Sequence, residues 1–123
     1  MPSKAKKVTR EVAKLPSIPK DLVAHFLTGP MTGEAIEDAS LAFKKALVEA
    51  SLNAELSHHL GYASGAEKPE LVSNHRNGST GKTVLTGAGA MRIETPRDRD
   101  GSFEPLLVPK HARRFTEIGR AHV

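Results

Sequence analysis

The chain has 123 residues, 38% of them hydrophobic, with four Phe, one Tyr and no Trp, which is a thin supply for one compact core. A segment this short and polar leans on a partner, either more of its own chain or a second copy. The absence of cysteine excludes disulfide frameworks and thiolate metal sites, and no apolar run approaches the roughly 18 residues that a membrane span needs.

The N-terminus is basic, but no apolar stretch of the kind found in secretory signals follows it, so a cytoplasmic protein is expected. Net charge is +4, unevenly spread. Residues 1–20 hold six Lys/Arg against one acid, residues 21–73 three against eight, and residues 74–116 eight against four. Two basic flanks around an acidic middle point to a nucleic-acid contact made by the flanks. The same distribution also describes a solvated basic surface.

Residues 1–17 read as a basic disordered tail, with Val8, Val12 and Leu15 as its sizeable apolar residues. Residues 18–62 read as helical. Pro19 suits the first position of a short helix, because its missing N–H would be unpaired there anyway. Leu22, Val23, Phe26 and Leu27 give that helix an apolar face, and Gly29-Pro30 stops it. Thr32 is a candidate N-cap for a second helix, with Glu34 in its first turn where the helix dipole favours an acid.

That second helix is expected to run to Leu60, with a break near Asp38 to Ser40. Ile36, Phe43, Leu47, Ala50 and Ala54 fall on one stripe of it. Leu41, Val48, Leu52, Leu56 and Leu60 form another on roughly the opposite side. A helix apolar on two faces needs cover on both, so a helical partner is expected. Gly61 stands where a helix ends in the left-handed conformation.

Residues 63–81 read as a polar connector containing the turn signal Asn77-Gly78. Residues 82–109 read as a small antiparallel β unit, because the apolar period changes to two. Thr83-Val84-Leu85-Thr86 and Ala90-Met91-Arg92-Ile93-Glu94 are its strands, joined through Gly87-Ala88-Gly89 and closed by Pro96. Phe103 and Leu106-Leu107-Val108 are candidates for a third strand, which Pro105 and Pro109 would confine to an edge. Residues 110–116 form a basic exit. The fold class is therefore α+β: N-terminal helices including a long one, then a small antiparallel hairpin or sheet.

Chemical signals are few. Gly78-Ser79-Thr80-Gly81-Lys82-Thr83 resembles the end of a phosphate-cradling loop, but Arg76 stands where that pattern needs Gly. A polar loop precedes it and a strand follows, where a strand and then a helix are required, so no nucleotide is expected. Asp98, Asp100, Gly101 and Glu104 faintly suggest a calcium loop in the wrong register. Interleaved with Arg97 and Arg99, these acids read as a solvated turn that neutralises itself. His58 and His59 diverge on a helix, and His25, His75, His111 and His122 show no ligand spacing. No metal site, no nucleophile and no self-contained active site is expected.

Several segments resemble those of one family. Ala54-Glu55-Leu56-Ser57-His58-His59-Leu60-Gly61-Tyr62 resembles the helix end of Mutator-type bacterial insertion-sequence transposases. Asn74-His75-Arg76-Asn77-Gly78 and Lys82-Thr83-Val84-Leu85-Thr86 are similar to later segments of the same family. The resemblance is strongest from Ile93 to Pro105, which contains Pro96-Arg97-Asp98-Arg99-Asp100-Gly101-Ser102-Phe103-Glu104-Pro105, and it covers roughly residues 30–116. One departure is a shorter linker between Tyr62 and Asn74, where many relatives carry more charge.

The resemblance implies a transposase that binds the inverted repeats ending a mobile element. It also implies an Asp, Asp, Glu set and a divalent metal such as magnesium in a downstream ribonuclease-H-like domain. No acid of this chain maps onto that set, so no catalytic residue is carried over, and truncation before that domain is expected. The codons ATC GGA AGA GCA CAC GTC would encode residues 118–123. Preceded by AG from the Glu117 codon, they read as the start of a short-read sequencing adapter. Residues 117–123 are therefore expected to be an artefact.

Double-stranded DNA is the expected partner. Its candidate contacts are Arg76, Lys82, Arg92, Arg97, Arg99, Lys110, Arg113 and Arg114. Two other readings stay open: a non-catalytic module that self-associates through the two-faced helix as a homo-oligomer, and an inert remnant.

Overall fold

A computed structural model describes residues 14–115. Residues 1–13 of the expected tail and all of the expected artefact lie outside the described residues. Residues 14–17 have no regular structure and are exposed. The chain divides into two units, Met1–Met31 and Thr32–Val123.

The first unit holds α1 (Lys20–Phe26). Pro19 caps it from outside rather than opening it as first residue: its carbonyl accepts the N–H groups of Leu22 and Val23 at 3.1 and 3.2 Å. Asp21 lies in the first turn, where the dipole favours an acid. No residue of α1 is buried, and Val23, Phe26 and Leu27 are exposed. Seven residues are too few to hold a helix by propensity alone.

The second unit begins with α2 (Gly33–Leu60). Thr32 Oγ1 accepts the Ala35 N–H at 3.0 Å, which satisfies one of the donors orphaned at a helix start. Gly61 closes the helix with φ +90°, and its N–H reaches the Ser57 carbonyl. The helix runs unbroken through Asp38–Ser40, contrary to the sequence expectation. That stretch contains no Gly or Pro, and Asp and Ser lower helix propensity only modestly. Of the two apolar stripes, one is covered: Val48, Leu52, Leu56 and Leu60 are buried. Ile36 and Leu47 on the other stripe are 51% and 57% exposed, and Ala50 and Ala54 are exposed too.

The cover is a hairpin of β1 (Arg76–Thr86) and β2 (Gly89–Asp98), paired antiparallel. Val84, Met91 and Ile93 face α2 and form one core cluster with Val48, Leu52 and Val108. Leu56, Leu60 and Phe103 form a second. A lone hairpin is marginal in water, and the helix supplies the missing face. At its tip Thr86 Oγ1 accepts the Ala88 N–H at 3.0 Å and donates to the Gly89 carbonyl at 2.8 Å.

Three features differ from the sequence reading. First, β1 starts at Arg76, inside the stretch 63–81 that the sequence presents as a polar connector. Asn77-Gly78 is a bulge, not a turn. Arg76 pairs with Asp98 and Ser79 with Pro96, so one extra β1 residue is accommodated, and Gly78 supplies φ +70°. Second, β2 continues through Pro96 to Asp98; a proline beside a bulge in a two-stranded sheet is tolerated.

Third, residues 103–109 form no strand. The Glu55 carboxylate accepts the N–H groups of Leu106 and Leu107 at 2.7 and 3.0 Å, which takes them away from any ladder. Pro105 and Pro109 have none to give.

Both sheet edges are engaged, which removes a template for unwanted strand pairing. Glu49 on α2 accepts the Glu94 N–H at 2.8 Å on the β2 side. On the β1 side the exit segment makes a short parallel bridge at Leu85 and Arg114. Leu85 N–H donates to the Arg113 carbonyl, and Phe115 N–H donates to the Leu85 carbonyl.

Candidate functional site

The charged stretch at and after the end of β2 is a solvated turn at Arg99, Asp100, Gly101 and Glu104, which are exposed, but not at Asp98. Asp98 is only 4% exposed. Its carboxylate accepts from Asn74 Nδ2 at 2.8 Å, Ser102 Oγ at 2.9 Å, Ser102 N–H at 3.1 Å and Phe103 N–H at 3.3 Å. Burial by itself would raise the pKa of this acid. The four hydrogen bonds outweigh that and hold it well below the usual carboxylate range. Asn74 extends the knot through Oδ1, which accepts the N–H groups of His75 and Asp100. Tyr62 donates its hydroxyl to the Asn74 carbonyl at 3.2 Å. Gly101 allows the chain to turn back with φ +71°.

His59 reaches this knot from α2. Its Nε2 lies 2.9 Å from Ser102 Oγ and 3.5 Å from Asp98 Oδ2, and its ring packs against Phe103. The residue types are those of a hydrolytic triad, but the wiring is not. The Ser102 hydroxyl donates to Asp98, and histidine presents the same nitrogen to both. A triad needs the acid on the ring nitrogen remote from the serine.

The eight basic candidates divide by what their heads already do. Arg76 is half-buried, with Nη2 directed to Ser57 Oγ and the Asn53 carbonyl, so it straps β1 to α2. Lys82 donates to the carbonyls of Pro109 and Lys110, each at 3.0 Å, and so anchors the basic exit to β1. Burial pushes its pKa below the ordinary lysine value. Arg92 is exposed and lies over Gly81, where an added Cβ would meet its guanidinium. It pairs with Thr83 on the sheet face opposite Val84 and Met91. Arg97, Arg99, Lys110, Arg113 and Arg114 are exposed.

The fold brings four of the eight together. Lys82, Arg97, Arg99 and Lys110 line one cleft of about 370 Å³. Its remaining wall includes Thr95, Pro96, Phe103, Pro105 and Val108. Thr95 was not among the sequence candidates; its Oγ1 is buried and has no hydrogen-bond partner. Arg76, Arg92, Arg113 and Arg114 do not line this cleft.

Gly78 to Thr83, the stretch resembling a phosphate loop, are residues of β1 followed by β2, with no helix start after them among the described residues. Among the described residues no group of three His, Asp or Glu side chains is placed to hold a metal ion. Asp98, the buried acid, is committed to Asn74, Ser102 and Phe103. The acids among the described residues are therefore not grouped as a divalent metal would need.

A family model described as Transposase, Mutator family, matches residues 20–122. The chain belongs to that family. Among its relatives is a probable transposase for insertion sequence element ISRM3-like of Sinorhizobium fredii, 42% identical over 105 residues. The alignment covers 83% of this chain and 25% of that protein. The transposase for ISRM3 of Rhizobium meliloti is 42% identical over 104 residues, again 83% of this chain and 25% of the relative. The transposase for IS905 of Lactococcus lactis is 41% identical over 63 residues, which is 51% of this chain and 16% of the relative. The chain thus spans about a quarter of the length of the first two of these Mutator-family relatives.

Proposed function

We propose that this chain is the DNA-binding and assembly part of an insertion-sequence transposase, and that it binds the terminal inverted repeats of its element. The observation that carries the reading is family membership over most of the chain. Four cations at one cleft are the physical support. Phosphate contacts from such residues position a protein on a duplex, and contacts to base edges select the sequence.

Cutting and rejoining of DNA, with its divalent metal, is assigned to the part of a full-length family member that this chain does not span. On this reading the chain acts in the cytoplasm, associated with DNA; separately, no helix among the described residues is long and apolar enough to cross a membrane.

A second reading is favoured by one observation. The stripe bearing Ile36 and Leu47 is uncovered except at half-buried Phe43, which suits a non-catalytic module that self-associates. Both readings are compatible with one protein, since assembly and DNA binding use different surfaces.

The test is fluorescence anisotropy with two duplexes of equal length, one carrying the element's terminal repeat and one a shuffled version. Tighter binding to the repeat by about tenfold or more is expected, since each mismatched base pair typically costs about 1–3 kcal/mol. Equal affinities would reduce the chain to a non-specific binder. Loss of both signals would remove the DNA reading.

A further inference from the structure

The cleft between the end of β2 and the basic exit does more than collect charge. We infer that it seats one backbone phosphate of bound duplex DNA, held by Lys82, Arg97, Arg99 and Lys110. This inference rests on the DNA-binding reading above and assigns its contact point.

Three observations carry it. The cations come from three separate chain segments and line one cleft only because the fold brings them there: Lys82 on β1, Arg97 at the end of β2 with Arg99 just after it, and Lys110 on the exit. Like charges gathered in one place repel, and that repulsion is relieved by an anion.

The Lys82 ammonium spends two of its three donors on the carbonyls of Pro109 and Lys110, which leaves one and fixes its position. Those same two bonds hold the backbone of Lys110 beside the cleft. The third observation is Thr95. Thr95 is a residue of the cleft wall whose hydroxyl is buried and unpartnered, and an orphaned buried polar atom in a folded protein calls for an explanation.

The counter-charge within the cleft does not cancel the cations. Asp98 also lines it and carries a negative charge, but one carboxylate stands against four cations. The apolar wall of Pro96, Pro105 and Val108 lowers the local dielectric, which strengthens each cation's pull on an anion.

The geometry also sets a direction of approach. Thr80, Lys82 and Thr95 share one sheet face, and Arg92 lies on the other. A duplex seated at the cleft therefore leaves Arg92 outside the phosphate seat.

The test uses the whole 123-residue chain in two arms. In the first, inorganic phosphate is titrated while amide NMR shifts are followed. Shifts centred on Thr95, Gly101 and Lys110 are expected, and they vanish in the double variant R97A/K110A. In the second arm, duplex affinity is measured against salt for that variant and for K68A, whose side chain is exposed and does not line the cleft.

The double variant is expected to flatten the log–log salt slope by about 0.9, the amount set by one phosphate contact. Lys68→Ala leaves the slope unchanged. Because both substituted side chains in the double variant are exposed, its fold is retained, and an unchanged far-UV spectrum checks this. If the duplex binds normally and the double variant keeps the full slope, the phosphate seat is overturned while the DNA reading stands. If the unmodified chain fails to bind duplex at all, both fall. Phosphate shifts at the cleft without duplex binding would assign it to a free anion and overturn the duplex contact.

Discussion

Asp98→Ala is expected to destabilise the second unit by about 3 kcal/mol or more, because it strands four donors at a buried site. The side chain is 4% exposed, so water does not replace it without opening the turn. Asn74, Ser102 and Phe103 each lose an acceptor, and with them goes the staple between the segment before β1 and the turn after β2. The sign of the pH dependence follows from the lowered pKa. The group contributes its full stability above the unfolded-state value of about 4. That contribution is lost progressively as pH falls below it toward the lower folded-state value. Urea midpoints measured from pH 7 down to pH 3 should therefore fall in the native chain. In Asp98→Asn they should begin low and lack this component.

Leu52→Ala is expected to cost about 2–5 kcal/mol, the range for large-to-small changes in a packed core. Leu52 is 0% exposed and sits in the cluster that joins α2 to Val84, Met91, Ile93 and Val108. Few domains of this size have stability to spare, so a loss of that size removes a large share of the total and lowers the denaturation midpoint sharply. Leu47→Ala is the informative partner. Leu47 lies on the uncovered stripe at 57% exposed, and its truncation should change the denaturation midpoint little, by about 0.5 kcal/mol at most. Equal losses at the two positions would mean that both faces of α2 are covered in solution.

Local signals were legible and long-range ones were not. Thr32 and Gly61 cap α2 where the sequence places them, because capping depends on a few adjacent residues. The alternation through Val84 and through Met91 and Ile93 marked the strands for the same reason. Which stripe of α2 is core was not legible. Both stripes are apolar, and only packing against the hairpin chooses Val48, Leu52, Leu56 and Leu60. Asn77-Gly78 satisfies a turn and a bulge alike, and the register of Arg76 with Asp98 decides between them. The missing third strand traces to Glu55, some fifty residues away along the chain from the N–H groups it takes.

The candidate site divides the same way. Counting charges finds every Lys and Arg but does not say which heads are already committed. Arg76 is engaged with α2, and Lys82 with the exit carbonyls. Asp98 looked neutralised by its arginine neighbours along the chain, whereas its partners are Asn74, Ser102 and Phe103. Thr95 carried no sequence signal at all, since one Thr in a strand is unremarkable until its hydroxyl is found buried and unpaired.

Duplex binding through phosphate contacts depends on salt, because each contact releases counterions. Association constants for the whole chain would be measured between about 50 and 200 mM salt with one duplex. Each phosphate contacted adds about −0.9 to the slope of log K against log salt, so the cleft phosphate alone predicts a slope of about −0.9 or steeper and an affinity that falls by about threefold or more across that range. An affinity that ignores salt would contradict phosphate contact and, with it, the assignment of this basic surface to DNA.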